Sequence, residues 1–287
     1  RFLYCQGIMS DTRRVLLDEL VPDLVFHDLP HVQLDLLEKT VVLGTGGFGK
    51  VYRGEYNNRG VAIKEPLVDS LNNLDNFYEF HREAYMMSLV KHANVLSLFG
   101  VGLTPLCLVM ELATHGDLWH FLHSAEEGGG DSVVALLPPT KLQLVRSIGL
   151  MLDVARGLGA MQVHDPPIVH RDLRSPNIFL VEDGSGNMRA KVADFGLSVL
   201  AAPKVAGYLR TWQWLAPEIL AGCEYDQTSD VYSLGIIFWE ILTGAVPFME
   251  FNFDDRYSRV IAGQQHRRLD EIGVRNAIIS EGLRPTI

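Results

Sequence analysis

Cysteine is scarce: the 287 residues contain three, Cys5, Cys107 and Cys223, far apart and without a C-x-x-C pair. That spacing signals neither a disulfide framework nor a zinc site, and it points to a reducing compartment, the cytoplasm. Basic charge is short as well. Lys and Arg number 25 against 35 Asp and Glu, a formal net charge of −10. This argues against nucleic acid as a partner, because affinity for it rests on cations that neutralise phosphates. Long apolar runs are also missing. The most apolar stretch, GIIFWEILTGAVPF at 235–248, carries Glu240 and is shorter than the about 20 residues that cross a bilayer, so the expectation is a buried helix and no transmembrane segment. No basic-then-apolar leader follows Arg1, and the reading is of a chain cut at both ends from something longer. Neither an internal repeat nor a low-complexity tract interrupts the sequence.

What is present suffices for a core: 47 % of residues are hydrophobic, at a length that predicts one large or two medium domains. Pro22 and Pro30 punctuate ELVPDLVFHDLP, and a boundary is expected near Glu38. From 39 to 64, three β-branched runs separated by a glycine cluster and by NNRG predict an antiparallel meander. A helix capped by Asn72 or Asn73 and running to about Val90 follows, with Leu74, Phe77, Phe80, Ala84 and Met87 at helical spacing. Strands are expected at 95–101 and 106–112. A long helix over 141–162 should carry Leu142, Val145, Ile148, Leu152, Ala155 and Leu158 on one face. The second half reads as mainly helical, with EEGGGD at 126–131 and EDGSGN at 182–187 as surface loops.

The chemistry gathers in a few short stretches. GTGGFGKV at 44–51 fits G-x-G-x-x-G-x-V, in which a backbone without Cβ can approach phosphate oxygens. A strand rather than a helix follows, unlike a dinucleotide fingerprint, and the loop does not satisfy the P-loop of a GTP switch. Lys64 ends the apolar run VAIK and needs a counter-ion, for which Glu83 is the candidate; the bland alternative is an edge-strand charge. Together the two charges could hold α- and β-phosphates. HRDLRSPN at 170–177 sets Asp172 to orient a hydroxyl and take its proton, with Asn177 to hold a divalent cation. Asp194 in ADFGLS, 22 residues on, offers a second oxygen to Mg2+. A lone loop aspartate is usually a cap or turn. These stretches, with LAPE, occur once each in one order, and that order defeats the bland readings.

In wording and order they resemble the eukaryotic protein kinases over residues 38–287. ELVPDLVFHDLP, LCLVMELATHGDL, IVHRDLRSPNIFL and EGLRPTI look like the Roco, or leucine-rich-repeat kinase, branch of the tyrosine-kinase-like group. The resemblance implies an α+β, bilobal kinase fold: an N-lobe at 38–113 with an antiparallel sheet and one helix, and a mainly helical C-lobe at 114–287. The C-terminal helices, and their arginine for Glu218, would be missing after Ile287, leaving the piece unstable or weakly active alone. Residues 1–37 would be the tail of a preceding COR-like region, with a GTPase domain and a homodimer possible in the full-length protein. ATP and Mg2+ would be the cofactors and Ser/Thr-bearing proteins the substrates. Leu43, Gly44, Gly46, Gly47, Gly49, Val51, Ala62 and Lys64 would meet the nucleotide. Met110 would be its gatekeeper, and Glu111 and Ala113 its hinge. Lys64 would pair with Glu83, Asp172 act as base with Arg174 beside it, and Asn177 and Asp194 hold the metal. Glu218 and Asp230 would be structural, and Met87, His170 and Phe195 would join a hydrophobic spine.

Arg174, two positions after Asp172, and Thr211, five before Ala216, match the serine/threonine pattern of that family, although Arg210 departs from its usual glycine. Ser198, Tyr208 and Thr211 are the hydroxyls between Asp194 and Glu218 open to phosphorylation, their bland reading being exposed loop polarity. A pseudokinase scaffold and a tyrosine or dual-specificity kinase are the alternatives. The first would normally lack Lys64, Asp172, Asn177 or Asp194, all of which are present.

Overall fold

The computed structural model describes residues 29–46, 49–67, 74–123, 141–200, 212–251 and 269–286. Tyr208, Arg210, Thr211, Gly47, the proposed caps Asn72 and Asn73, the 126–131 loop and residues 1–28 lie outside them. Packing divides the chain into two units. One comprises Arg1–Lys91, Leu96–Leu112 and Phe195–Leu197; the other His92–Val95, Ala113–Asp194 and Ser198–Ile287.

In the first unit β1 (Leu37–Thr45), β2 (Gly49–Tyr56) and β3 (Arg59–Pro66) form the expected meander. Asn57 and Asn58 turn β2 into β3 with φ of 52° and 59°, the left-handed pair that a two-residue hairpin demands and asparagine tolerates. Helix α1 (Leu74–Leu89) follows, then β4 (Leu98–Leu103) and β5 (Leu106–Glu111). The sheet order is β1-β2-β3-β5-β4. Because side chains alternate across a strand, Val61, Ile63, Cys107 and Val109 share one apolar face, where burial pushes the Cys107 thiol up to about 11.

That face is covered by the chain preceding the sheet. Val101 donates its N–H to Pro30 O at 2.7 Å, Val32 returns one to Val101 O at 3.1 Å, and His31 bridges Val101 in parallel. Residues 30–32 thus extend the β4 edge, and Val32 and Leu34 join the apolar cluster. The approach is close enough to require glycine: a Cβ on Gly100 would stand 2.6 Å from Pro30 O, and one on Gly102 2.6 Å from Leu34 Cδ2.

The second unit contains α2 (Leu118–His123) and α3 (Lys141–Gln162). Next come β6 (Ile168–Val169), the hairpin β7 (Ile178–Glu182) and β8 (Met188–Val192), and β9 (Val199–Leu200), which pairs with β6. Helices α4 (Pro217–Leu220), α5 (Gln227–Thr243) and α6 (Glu271–Ser280) complete it. The Asp226 carboxylate caps α5 by accepting from Thr228 N, and Gly244, at φ 65°, ends it. As the run at 235–248 predicts, this helix has a buried face, with Ile236, Ile237, Trp239 and Ile241, and it carries Asp230 and Glu240 inward.

The α3 stripe differs from expectation. Of the expected residues Leu158 is buried but Val145, Ile148 and Leu152 are exposed, and the buried face is made with Leu150, Asp153, Val154, Gly157 and Met161. Close backbone contact and an ion pair choose that face over apolar count. A Cβ on Gly157 would meet Asn94 O at 2.4 Å, and Asp153 accepts Arg189 Nε and Nη2 at 2.9 and 2.8 Å and Ala190 N at 3.1 Å.

The strap formed by residues 30–32 over β4 bears on stability. Gly100→Ala should lower stability by about 1–3 kcal/mol, since the obstructing atom is a backbone carbonyl. Gly159→Ala, whose Cβ would meet nothing within 4 Å, should instead raise it by roughly 0.5–1 kcal/mol as an ordinary helical replacement. Thermal melts of both would check the pair, and equal Tm values would contradict the strap's close approach.

Candidate active site

The register of the first unit gathers the expected nucleotide-contacting residues on one face. Lys64 pairs with Val51 on one side and Leu108 on the other, Ala62 with Met110, and Gly44 with Val51. Directly opposed residues share a face, so these side chains lie opposite the Val61–Ile63 cluster. Lys64 Nζ reaches both Glu83 oxygens, at 2.7 and 2.6 Å, from the buried side of α1. Glu83 is 6 % exposed, which rules out a solvated edge charge: a carboxylate so buried needs its cation. Met110 is buried, Leu43 is exposed, and Glu111 exchanges bonds with Ser97, its N–H donating to Ser97 O and its carboxylate accepting from Ser97 N. The glycines divide by cause. A Cβ on Gly49 would collide with Glu65 O at 2.2 Å, whereas Gly44 and Gly46 face open space. Gly49 is therefore demanded by the hairpin itself.

In the second unit the 170–177 loop is fixed from α5. Asp230, fully buried, accepts His170 N at 2.7 Å and Arg171 N at 3.0 Å, with Arg171 in the left-handed region at φ 70°. Burial holds the Asp230 carboxyl above its usual range, against the pull of those bonds. His170 Nδ1 accepts from Asp172 N at 3.3 Å, and Nε2 contacts Ala193 O at 2.9 Å. Arg174 Nε lies 3.0 and 3.1 Å from the Asp172 oxygens, and Asn177 Nδ2 donates to Asp172 O and Oδ2, both at 2.8 Å. Ala193 N donates to Asn177 O at 3.0 Å, which brings Asp194, at φ 62°, beside the loop. Asp172, Arg174, Asn177 and Asp194 are thus brought together. Ala113 belongs to this unit and is half-buried.

The Asn177 orientation bears on metal binding. With both amide hydrogens directed at Asp172, its carbonyl oxygen is a hard donor that, with the Asp194 carboxylate, could hold Mg2+ completed by water and phosphate. Among the described residues no group of three or more His, Cys, Asp or Glu forms a closed cage.

A family model described as protein tyrosine and serine/threonine kinase matches residues 37–276. The chain belongs to that family. This kinase is 40 % identical over 251 residues to a probable serine/threonine-protein kinase, roco11, of Dictyostelium discoideum, covering 84 % of this chain and 16 % of that protein. It is 35 % identical over 296 residues to the same organism's probable serine/threonine-protein kinase roco5, covering 98 % and 9 %. To the probable serine/threonine-protein kinase SIS8 of Arabidopsis thaliana it is 34 % identical over 236 residues, covering 79 % and 21 %. The chain therefore spans less than a quarter of the length of these curated relatives.

Two features of the kinase lie outside the motif reading. Ser198 is fully buried, and its hydroxyl donates to His170 O at 3.2 Å. It is thus a constituent of the loop's support and not exposed loop polarity, because a buried hydroxyl is held by its acceptor. Glu240 joins Ser175, His123 and Trp214 in a buried cluster; the signal for it was a lone carboxylate in an apolar helix. Glu218 accepts from Ser229 Oγ at 3.0 Å.

Burial is the largest influence on Asp172 and raises its pKa above 3.8, Arg174 opposes this, and Asp194 adds to it. A base acts when ionised, so with Asp172 in that role activity would rise as pH climbs through that raised value. Arg174→Gln removes an influence that lowers the pKa, so the acid limb of its kcat/KM profile should move to higher pH than in the wild type. Coincident limbs in a pH–rate comparison would contradict the electrostatic coupling of the two residues.

Proposed function

We propose that this chain is the catalytic module of a Roco-type protein serine/threonine kinase, transferring the γ-phosphoryl group of ATP to substrate hydroxyls. The observation that carries the reading is the Asp172 carboxylate, held by Arg174 and Asn177 with Asp194 adjacent. Asp172 would orient the substrate hydroxyl and accept its proton. Arg174 uses Nε on Asp172, and the rest of its planar fork would meet the transferred phosphoryl oxygens. Lys64, fixed by Glu83, would hold the α- and β-phosphates, and Gly44 and Gly46 would let backbone N–H groups approach them. Val51, Ala62 and Met110 would line the adenine, with Glu111 and Ala113 as hinge contacts. Asn177 and Asp194 would hold Mg2+, which when bound neutralises phosphate charge.

Serine/threonine specificity is supported by the place of Arg174 and by the relatives' printed names. Against a scaffold without catalysis stands the full set Lys64, Asp172, Asn177 and Asp194. A preceding COR-like segment and GTPase domain, a homodimer and a cytoplasmic location belong to the same proposal; among the described residues no helix is long and apolar enough to cross a membrane.

Transfer from γ-labelled ATP in the full-length protein tests the assignment. Asp172→Ala should lower kcat by about 10²–10⁴, the worth of a positioned base, and Lys64→Met should abolish most transfer, with label in phosphoserine and phosphothreonine. Undiminished transfer by both variants would sink the catalytic roles. In Arg174→Lys a compact ammonium replaces the fork, and kcat should fall by a larger factor than KM for ATP rises; identical kinetics would reduce Arg174 to a simple charge.

A further inference from the structure

We infer that Glu240 is a positioning residue for phosphoryl transfer, fixing the catalytic loop through the Ser175 hydroxyl; this rests on the kinase reading above. Glu240 has no solvent exposure and sits in an otherwise apolar part of α5. A buried carboxylate is costly unless fully bonded, and apolar residues of similar volume commonly do as well or better for stability. Its presence at such a site therefore points to something other than packing.

Its oxygens collect donors from three separate places. Oε1 accepts from Ser175 Oγ at 2.7 Å and pairs with His123 Nε2 at 3.0 Å, while Oε2 accepts from Trp214 Nε1 at 3.2 Å. His123 belongs to α2, and Trp214 to the turn before LAPE. Trp119 closes the cluster, its ring 4.2 Å from that of His123 and edge-on to Trp214 at 5.8 Å. Ser175 and Trp214 are themselves buried.

Ser175 follows Arg174 directly and precedes Asn177 by two positions. Asp230 holds the upstream end of the same loop through the amides of His170 and Arg171. One helix thus grips the loop at both ends, by backbone upstream and by the Ser175 side chain downstream. Loss of the downstream grip should misplace Arg174 and Asp172 against the reacting oxygens, where small displacements cost rate. Binding of ATP depends chiefly on the Lys64 unit and should be spared.

The test compares Ser175→Ala, Glu240→Gln, the double variant and Asp172→Ala in the full-length protein. The readouts are kcat per ATP-binding site, KM for ATP, and Kd for a fluorescent ATP analogue. Ser175→Ala should lose about tenfold in kcat, the rate equivalent of one hydrogen bond, with KM and Kd within about twofold. The double variant should be no slower than Ser175→Ala, because without the Ser175 hydroxyl, residue 240 has no bond to the loop left to alter. Should Glu240→Gln fail to fold, Ser175→Ala decides alone. A wild-type kcat for Ser175→Ala beside an inactive Asp172→Ala overturns this inference and spares the kinase reading. Multiplying losses, or ATP affinity falling in step with kcat, overturn it equally. An active Asp172→Ala removes the reading on which it rests.

Discussion

Asp230 is a carboxylate without solvent contact, and the backbone of one loop meets both of its oxygens. A left-handed non-glycine residue such as Arg171 costs of order 1–3 kcal/mol, while each hydrogen bond to a charged group contributes about 1.5–3 kcal/mol. Two such bonds outweigh the strain, so the loop keeps a turn it would not otherwise adopt. The turn in turn lets His170 Nδ1 take the Asp172 amide and its Nε2 reach Ala193, next to Asp194. The acidic site is therefore assembled by a helix some 55 residues downstream of it in sequence.

The same logic runs through the first unit with opposite polarity. There a cation, Lys64, is carried on a central strand, and the helix brings the carboxylate to it. Each unit thus contains a buried charge made tolerable by an element distant in sequence, and the side chains proposed to act on phosphate are the ones these pairs immobilise.

How much of this the sequence discloses depends on how local each cause is. The meander is legible because Asn57–Asn58 and the β-branched runs act over a few residues, and α1 because its apolar spacing is intact. The pairing of Lys64 with Glu83 and the grouping of Asp172, Asn177 and Asp194 are legible because their order leaves little room for chance. The packing face of α3 is not, since it is chosen by Asn94 and Arg189, which lie 63 positions before Gly157 and 36 after Asp153. Ser198 reads as loop polarity until its acceptor, 28 residues away, is in view. Glycine proves ambiguous too: GTGGFGKV mixes a residue required by strand pairing, Gly49, with two that face open space.

The segment over β4 has a mechanical consequence. Because His31 and Val101 pair in parallel, tension applied at Leu29 would load the Pro30 and Val32 hydrogen bonds in shear, along the strand, instead of peeling them one by one. With β4, β5 and β3 adjacent, the load would enter the sheet three strand spacings, roughly 14 Å, from the strand of Lys64. Residues 30–32 are thus held to the sheet along their length, and a displacement of Leu29 would reach the strand of Lys64 as strain.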